Sequence, residues 1–508
     1  NLFSERLAPP FFSAKMRSTL LECCDFDWTQ ISPAIFGAMF QGVMNPQERR
    51  ELGAHYTSEE NILKVIRPLF MDELYEEFER SKNTTAELQA FHKKISSLTF
   101  LDPACGCGNF LIITYQKLRE LEFQVLKLLN DNQMVLFEAP TKVSINQFYG
   151  IEIEEFPCEI AKVSMLLMKH LMDQEISHYF GGNFIDYPIR DNANIVNANA
   201  LRIDWNDVIP ANKLNYIMGN PPFIGKKYQT TDQKEDMKVV FGDNVKRFAS
   251  LDYVASWYWK SISFMRHDTR VAFVSTNSIT QGENVAILWE AMFSKGVEIT
   301  FCHRTFIWTN NAKFEAAVYC VIVGFQFSPY NGEKFIFENN RVIPASFING
   351  YLKDELAIFV YNRSNPLQKN TKPMSAGNKP VDYNNLKIEP DEYLLFAERE
   401  PKALVYIKKM VGASEMIYNL ERYCLWLVAI EPSLLKSLPM VLKKVNACRE
   451  ARLNSKDLGA RKLADRPTQF RDLNNPSQYL CIPAVSSENR RYVPMRFFDK
   501  DVIPVMSV

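Results

Sequence analysis

Asn220-Pro221-Pro222-Phe223 closes an apolar run, Leu214 to Gly219, with residue types suited to holding an exocyclic amino group. Pro221 biases Asn220 towards extended backbone, and neither proline carries an N–H. The loop therefore offers acceptors: the Asn220 side-chain oxygen and the carbonyls of Asn220 and Pro221. An aryl amine is a poor nucleophile because its lone pair is delocalised into the ring. Two acceptors on its N–H bonds favour a more pyramidal nitrogen, and Phe223 can stack on the ring. The chemistry this favours is methylation of a base. Such a tetrapeptide also ends ordinary strands, so the residues upstream must decide.

Those residues form a nucleotide-cradling unit. Ser97 to Leu101 reads as a buried strand that runs into Asp102-Pro103-Ala104-Cys105-Gly106-Cys107-Gly108-Asn109-Phe110, followed by an amphipathic stretch from Leu111 to Leu129. Strand, glycine-rich turn and helix open a doubly wound α/β fold, with ligand at the carboxyl end of the strand, where Asp102 stands. Gly106 and Gly108 permit positive φ and close backbone approach. The spacing is not GxGxxG and no Walker lysine follows, which disfavours a dinucleotide or a nucleoside triphosphate.

A second strand, Phe148 to Glu152, ends on a carboxylate that can accept from both hydroxyls of a ribose. A helix is expected from about Glu155 to Met172. A third strand, Asn194 to Val196, leads to Asn199-Ala200-Leu201, placed to meet an adenine edge. Further strands are expected at Arg270–Val274 and Val318–Phe325, around an aromatic helix from Tyr253 to Phe264. The βα rhythm predicts a mostly parallel sheet ending in a hairpin-like edge.

Together these motifs resemble the class I S-adenosylmethionine-dependent amino-methyltransferases that act on DNA. Cofactor motifs precede the Asn-Pro-Pro-aromatic motif and a long C-terminal region follows, which is the γ arrangement, mostly N6-adenine-specific. Gly37-Ala38-Met39-Phe40-Gln41 and Arg49 to Ser58 resemble the spacer and methyltransferase entry of the MmeI-like (type IIL) fused restriction–modification enzymes. The resemblance implies a Rossmann-like methyltransferase domain over 51–330, after a helical spacer over 1–50. A mixed α+β target-recognition domain is expected over 331–508.

Carried over residue by residue, the resemblance places Thr57 over the methionine end of S-adenosyl-L-methionine and Asp102 at its amino group. Ala104, Gly106, Gly108 and Phe110 fall in the cofactor loop, Glu152 at the ribose, and Asn199 and Ala200 at the cofactor adenine. Many relatives carry Asp where this chain has Asn199. Asn220, Pro221, Pro222 and Phe223 would hold a flipped-out target base. Its far face would meet an aromatic residue, with Trp308 and Phe314 both candidates.

Composition bounds the rest. A chain of 508 residues with 47% apolar content suggests two or three domains with sizeable cores. Ten cysteines are scattered without a CxxC pair, which disfavours a zinc site or a disulfide framework and suits a reducing cytoplasm. Cys105 and Cys107 read as loop-packing residues. No metal is expected, and no apolar run is long enough to span a membrane. Net charge is zero, yet residues 431–508 hold 14 Lys and Arg against 8 Asp and Glu. Lys443, Lys444, Arg449, Arg461, Lys462, Arg466 and Arg471 are candidate contacts to double-stranded DNA.

Three functions remain open on the residues alone. The first is adenine-N6 methylation of DNA within a restriction–modification system. The second is the same chemistry on cytosine N4 or another amine, and the third is a regulatory module that binds cofactor and DNA without turnover. A nuclease cluster of the Asp…Glu-x-Lys kind is not evident, so cleavage is expected to reside on a segment outside this chain. A monomer is expected.

Overall fold

The computed structural model describes residues 11–25, 35, 57–131, 141–181, 193–308, 318–368, 374–486 and 490–506. It comprises two compact units, Asn1–Asn362 and Arg363–Val508. Helix α1 (Ala14–Asp25) falls within the stretch expected to form a helical spacer. Residues 36–56, with the Gly37–Gln41 motif and all of the Arg49–Ser58 motif except Thr57 and Ser58, lie outside the described residues.

The first unit is built on a nine-stranded sheet in the order β3-β2-β1-β4-β5-β7-β6-β8-β9. Its strands are β1 (Phe100–Asp102), β2 (Phe148–Glu152), β3 (Asn194–Asn197), β4 (Tyr216–Gly219), β5 (Arg270–Thr276), β6 (Val297–Trp308), β7 (Val318–Phe327), β8 (Lys334–Glu338) and β9 (Arg341–Ala345). The first five strands pair in parallel, and β7 is antiparallel to both β5 and β6. Helices α2 (Glu59–Ile66), α3 (Asp72–Ser81), α4 (Thr85–Ile95), α5 (Asn109–Asp131) and α6 (Glu155–Phe180) contribute to one apolar cluster. Helices α7 (Thr231–Phe241) and α8 (Ala255–Phe264) contribute to a second.

Side chains alternate across a strand, and these strands are apolar on both faces. Phe100, Ala272 and Val274 enter the first cluster, whereas Leu101, Val271 and Phe273 enter the second. That double burial is why the strands read as continuous hydrophobic runs. From β1 the chain winds outward through β2 and β3, then returns to start β4 on the other side of β1. The carboxyl ends of β1 and β4 thus flank the point where strand order reverses, the place where open α/β sheets bind ligands.

Three expectations are corrected. The first strand begins at Phe100 rather than Ser97, because 96–97 form a turn after α4. Helix α6 runs on to Phe180 and stops where Gly181 turns left-handed, with φ +68 and its N–H on the Ser177 carbonyl. A division at 330 would cut the sheet, since β8 pairs in parallel with β6. The compact unit extends instead to Asn362.

The second unit carries a four-stranded sheet, β10-β12-β11-β15, and a separate two-stranded ribbon, β13-β14. The strands are β10 (Lys387–Ile388), β11 (Ile407–Val411), β12 (Tyr423–Leu425), β13 (Gln478–Cys481), β14 (Arg496–Asp499) and β15 (Val502–Pro504). Helices α9 (Pro390–Arg399) and α10 (Pro439–Leu453) supply Phe396, Val441 and Val445 to a core shared with Ile388, Met410, Leu425 and Ile503. Arg452 on α10 is wholly buried. Its guanidinium donates to the carbonyls of Pro380, Val381, Leu463, Arg466 and Gln469 at 2.8–3.1 Å. All five N–H groups of the fork are therefore used.

Candidate active site

At the end of β1, Asp102 is 1% exposed. Its Oδ1 accepts from the Ala104 N–H at 3.0 Å, while Oδ2 is buried and unpartnered among the described residues. Burial pushes the carboxyl up to about 8; the Ala104 hydrogen bond opposes this and the charge of Glu152 adds to it. A buried acceptor without a donor is costly. This one is suited to a cationic or N–H-bearing ligand group.

The loop after Asp102 is shaped for close approach. Gly106 and Gly108 have φ of +54 and +84, and a Cβ on Gly108 would sit 3.0 Å from Ala161 Cβ on α6. Cys105 packs beneath the loop, where a Cβ on Gly150 would meet its sulfur at 2.8 Å. Its thiol, like that of Cys107, is pushed up by burial, in keeping with packing rather than nucleophilic chemistry. Phe110 is buried in the first core cluster, so its ring supports the loop from below. Glu152 is fixed in place: Oε2 accepts from the Gly106 N–H at 2.8 Å and Oε1 from the Glu154 N–H at 2.9 Å. Burial raises its pKa, with those backbone donors opposing.

On the adjacent strand, Gly219 lies against Asp102; a Cβ there would be 2.5 Å from Asp102 Oδ1. The next residue, Asn220, donates from Nδ2 to Thr57 Oγ1 at 3.1 Å. Its Oδ1 is a second buried acceptor without a partner among the described residues. Phe223 is half-buried and packs against both core clusters. The loop is then tied down: the Ile224 N–H donates to Asp252 Oδ1 at 3.0 Å, and the Ile224 carbonyl accepts from the Tyr253 N–H and Gln229 Nε2. Trp257 on α8 donates from Nε1 to the Pro103 carbonyl at 3.0 Å, joining this side of the site to the Asp102 loop.

Asn199 is more committed than its sequence context suggests. Its Oδ1 accepts from the Leu201 N–H at 2.9 Å and its Nδ2 donates to Asp236 Oδ2 at 3.1 Å. One amide proton is left for an outside contact. Asp236, 3% exposed, also accepts from Tyr253 Oη and Arg202 Nε. Ala200 is buried, with its carbonyl accepting from Trp205 Nε1 at 2.8 Å. Trp308 is the last residue of β6, and Phe314 lies outside the described residues.

Comparison with known proteins agrees with this architecture. The family model for the DNA-methyltransferase domain of MmeI matches residues 78–338, and that for the MmeI target recognition domain matches 354–508. The chain belongs to the MmeI family. A solved structure of the type IIL restriction–modification enzyme MmeI in complex with DNA superposes with a TM-score of 0.90 and 46% identity, over 99% of this chain and 68% of that one. DNA methyltransferase A of Bacillus subtilis (strain 168) is 39% identical over 508 residues, which is 99% of this chain and 58% of that protein. A putative type II restriction enzyme and methyltransferase of Methanocaldococcus jannaschii is 24% identical over 183 residues, 31% of this chain and 15% of its own length. The chain thus spans under two thirds of the length of these two relatives.

Within the part matched by the MmeI target recognition domain, the basic residues divide. Lys443, Arg449, Arg461, Lys462, Arg466 and Arg471 are exposed, although Arg461 also donates to the Ser455 carbonyl. Lys444 does not fit the expectation. Its ammonium donates to the Lys387 carbonyl at 3.0 Å and pairs with Glu392 at 2.8 Å, binding α10 to β10 and α9. The half-buried pair leaves little charge for a phosphate. Sequence reasoning missed Asp236, Asp252 and Trp257, whose roles arise from contacts across 28 to 154 residues. It also passed over Arg491 and Arg496, which lie over the rings of Tyr492 and Phe498 at and before β14.

Proposed function

We propose that this chain is the methyltransferase and target-recognition portion of an MmeI-like restriction–modification enzyme, transferring a methyl group from S-adenosyl-L-methionine to N6 of a flipped-out adenine in double-stranded DNA. The observation that carries this reading is a pair of buried acceptors at neighbouring strand ends that lack a partner among the described residues, Asp102 Oδ2 on β1 and Asn220 Oδ1 after β4. One suits the positively charged amino end of the cofactor and the other an N–H of the acceptor amine. The cofactor supplies an electrophilic methyl group already activated on a sulfonium.

In this reading Asp102 binds and orients that amino group, and Glu152 accepts from the ribose. Gly106 and Gly108 let the backbone come close. Asn220 Oδ1 takes one proton of the target amine and the Pro221 carbonyl the other, while Phe223 stacks on the base. The target nitrogen is inaccessible in a duplex, so the base must leave the stack. Its second proton is lost only after transfer, so no strong general base is required. Exposed Lys443, Arg449, Arg461, Lys462, Arg466 and Arg471 would hold phosphates. Among the described residues no helix is long and apolar enough to cross a membrane. We place the enzyme in the cytoplasm as a monomer, with any nuclease on another segment of the parent protein.

The test is transfer of labelled methyl from S-adenosyl-L-methionine to unmethylated genomic DNA, followed by nucleoside mass spectrometry. N6-methyladenine is the expected product. N4-methylcytosine would keep the site and replace the target base. Cofactor binding without incorporation would indicate a regulatory module.

A further inference from the structure

A carboxamide has a donor end and an acceptor end, and only the acceptor end can receive an N–H from the target amine. With the amide reversed, two sets of N–H groups would face each other. Something must therefore hold Asn220 with its oxygen towards the acceptor. The neighbour in place is Thr57, 163 residues earlier and 5% exposed, whose Oγ1 accepts from Asn220 Nδ2 at 3.1 Å. Asn220 Oδ1 is left buried and without a partner among the described residues.

A hydroxyl alone does not fix an amide, because it can accept from one end or donate to the other. It becomes selective only when its own proton is committed elsewhere. Among the described residues Thr57 Oγ1 donates to no group; an acceptor brought up to it would commit that proton. Thr57 is also tied to the cofactor side of the site, since Asn109, the first residue of α5 after Gly108, donates from Nδ2 to the Thr57 carbonyl at 3.4 Å. The arrangement Asn109–Thr57–Asn220 thus runs from the glycine loop to the target motif.

We propose that Thr57 is a positioning residue for Asn220: its hydroxyl oxygen holds the amide with Oδ1 towards the target amine, and it does so most firmly when its proton is taken by the carboxylate end of the cofactor. This rests on the methyltransferase reading above. It assigns Thr57 a role in the transfer step in addition to any part in cofactor affinity. The hydroxyl converts occupancy of one subsite into the correct orientation of a group in the next.

The test uses Thr57→Val and Thr57→Ser in the whole chain, on a duplex carrying a site mapped beforehand with the unaltered protein. Thr57→Val should slow single-turnover methylation at saturating cofactor about tenfold, the scale of one lost hydrogen bond in a water-poor site. Cofactor dissociation constants from equilibrium dialysis should change less than threefold. Binding should also lose discrimination between a target adenine and a target purine that lacks the 6-amino group. Fluorescence of 2-aminopurine at the target, which reports flipping without an N6 amine, should be unchanged. Thr57→Ser should restore rate and discrimination to within about twofold, because it keeps the oxygen. An unchanged saturated rate with weaker cofactor binding would overturn the proposal and leave Thr57 as a cofactor contact only. If Thr57→Val melts early, Thr57→Ala gives the same comparison. Failure of the underlying reading is distinct, since the unaltered protein would then methylate no DNA.

Discussion

Asp102 offers a measurement whose sign and size follow from its surroundings. In the free protein burial pushes its carboxyl up to about 8, so at pH 6.5 most molecules carry it protonated. A cationic amino group seated on Oδ2 would favour the carboxylate. With the carboxylate kept ionised in the complex across this range, binding at pH 6.5 must release a proton. The cost is then about 30-fold in affinity relative to pH 9. Affinity for S-adenosyl-L-methionine, or for its demethylated product, should therefore rise about tenfold per pH unit up to pH 7.5 and flatten above 8. The amino group of the ligand titrates in the same range. The comparison must be made with Asp102→Asn, which shares that ligand titration but lacks the carboxyl. The difference between the two profiles isolates Asp102, and equilibrium dialysis with labelled ligand from pH 6 to 9 provides it. Parallel profiles would refute the assignment. Stability supplies a second sign. A folded-state pKa raised above the unfolded value favours folding fully only below pH 3.8, and that stability is lost as pH rises towards 8. Asp102→Asn should therefore be the more stable protein at pH 7, by up to about 4 kcal/mol, even as it loses ligand affinity.

Three other perturbations follow. Asn220→Ala should lower turnover by at least about 100-fold while leaving cofactor affinity nearly intact, since its free acceptor belongs to the target side; equal loss of both in titration and single-turnover assays would contradict this. Gly219→Ala places a Cβ 2.5 Å from Asp102 Oδ1. It should cost about 1–3 kcal/mol in thermal unfolding and weaken cofactor binding by displacing that carboxylate. Arg452→Met would leave five carbonyls, that of buried Leu463 among them, without this donor. A loss of at least about 3 kcal/mol in the second unit is expected, read as faster hydrogen exchange across residues 374–486 with the nine-stranded sheet unaffected.

What the sequence disclosed, and what it hid, follows from how far each contact reaches. β1, β2, β3 and β4 were legible because each is a short apolar run closing on a chemically marked residue or turn: Asp102, Glu152, Asn197 before Asn199, and Gly219 before Asn220. The loop glycines were legible because their positive φ is a local property. β6 was not, since its pairing is broken by irregularities at Ile299/Phe301 and His303/Phe306 that spoil simple alternation. Asp236 and Asp252 look like ordinary helix and loop carboxylates until folding brings Asn199, Tyr253 and Ile224 to them. Lys444 and Arg452 stand among exposed neighbours of the same charge on α10. No spacing rule separates a basic side chain that meets solvent from one that meets carbonyls. The Thr57–Asn220 contact, 163 residues apart, belongs to the same class.

Arg452 has a consequence for how such a unit can change over generations. The segments around 380, 463 and 469 are gripped from within by one side chain whose every donor is satisfied. Their outward-facing residues are therefore relieved of most responsibility for holding the backbone. Exchanges at exposed positions such as Lys462, Arg466 and Arg471 can be accepted singly, each altering what the surface presents while the frame beneath stays in register. A protein arranged in this way can drift through many surface chemistries on one scaffold, with the least tolerated exchange expected at Arg452, which is wholly buried.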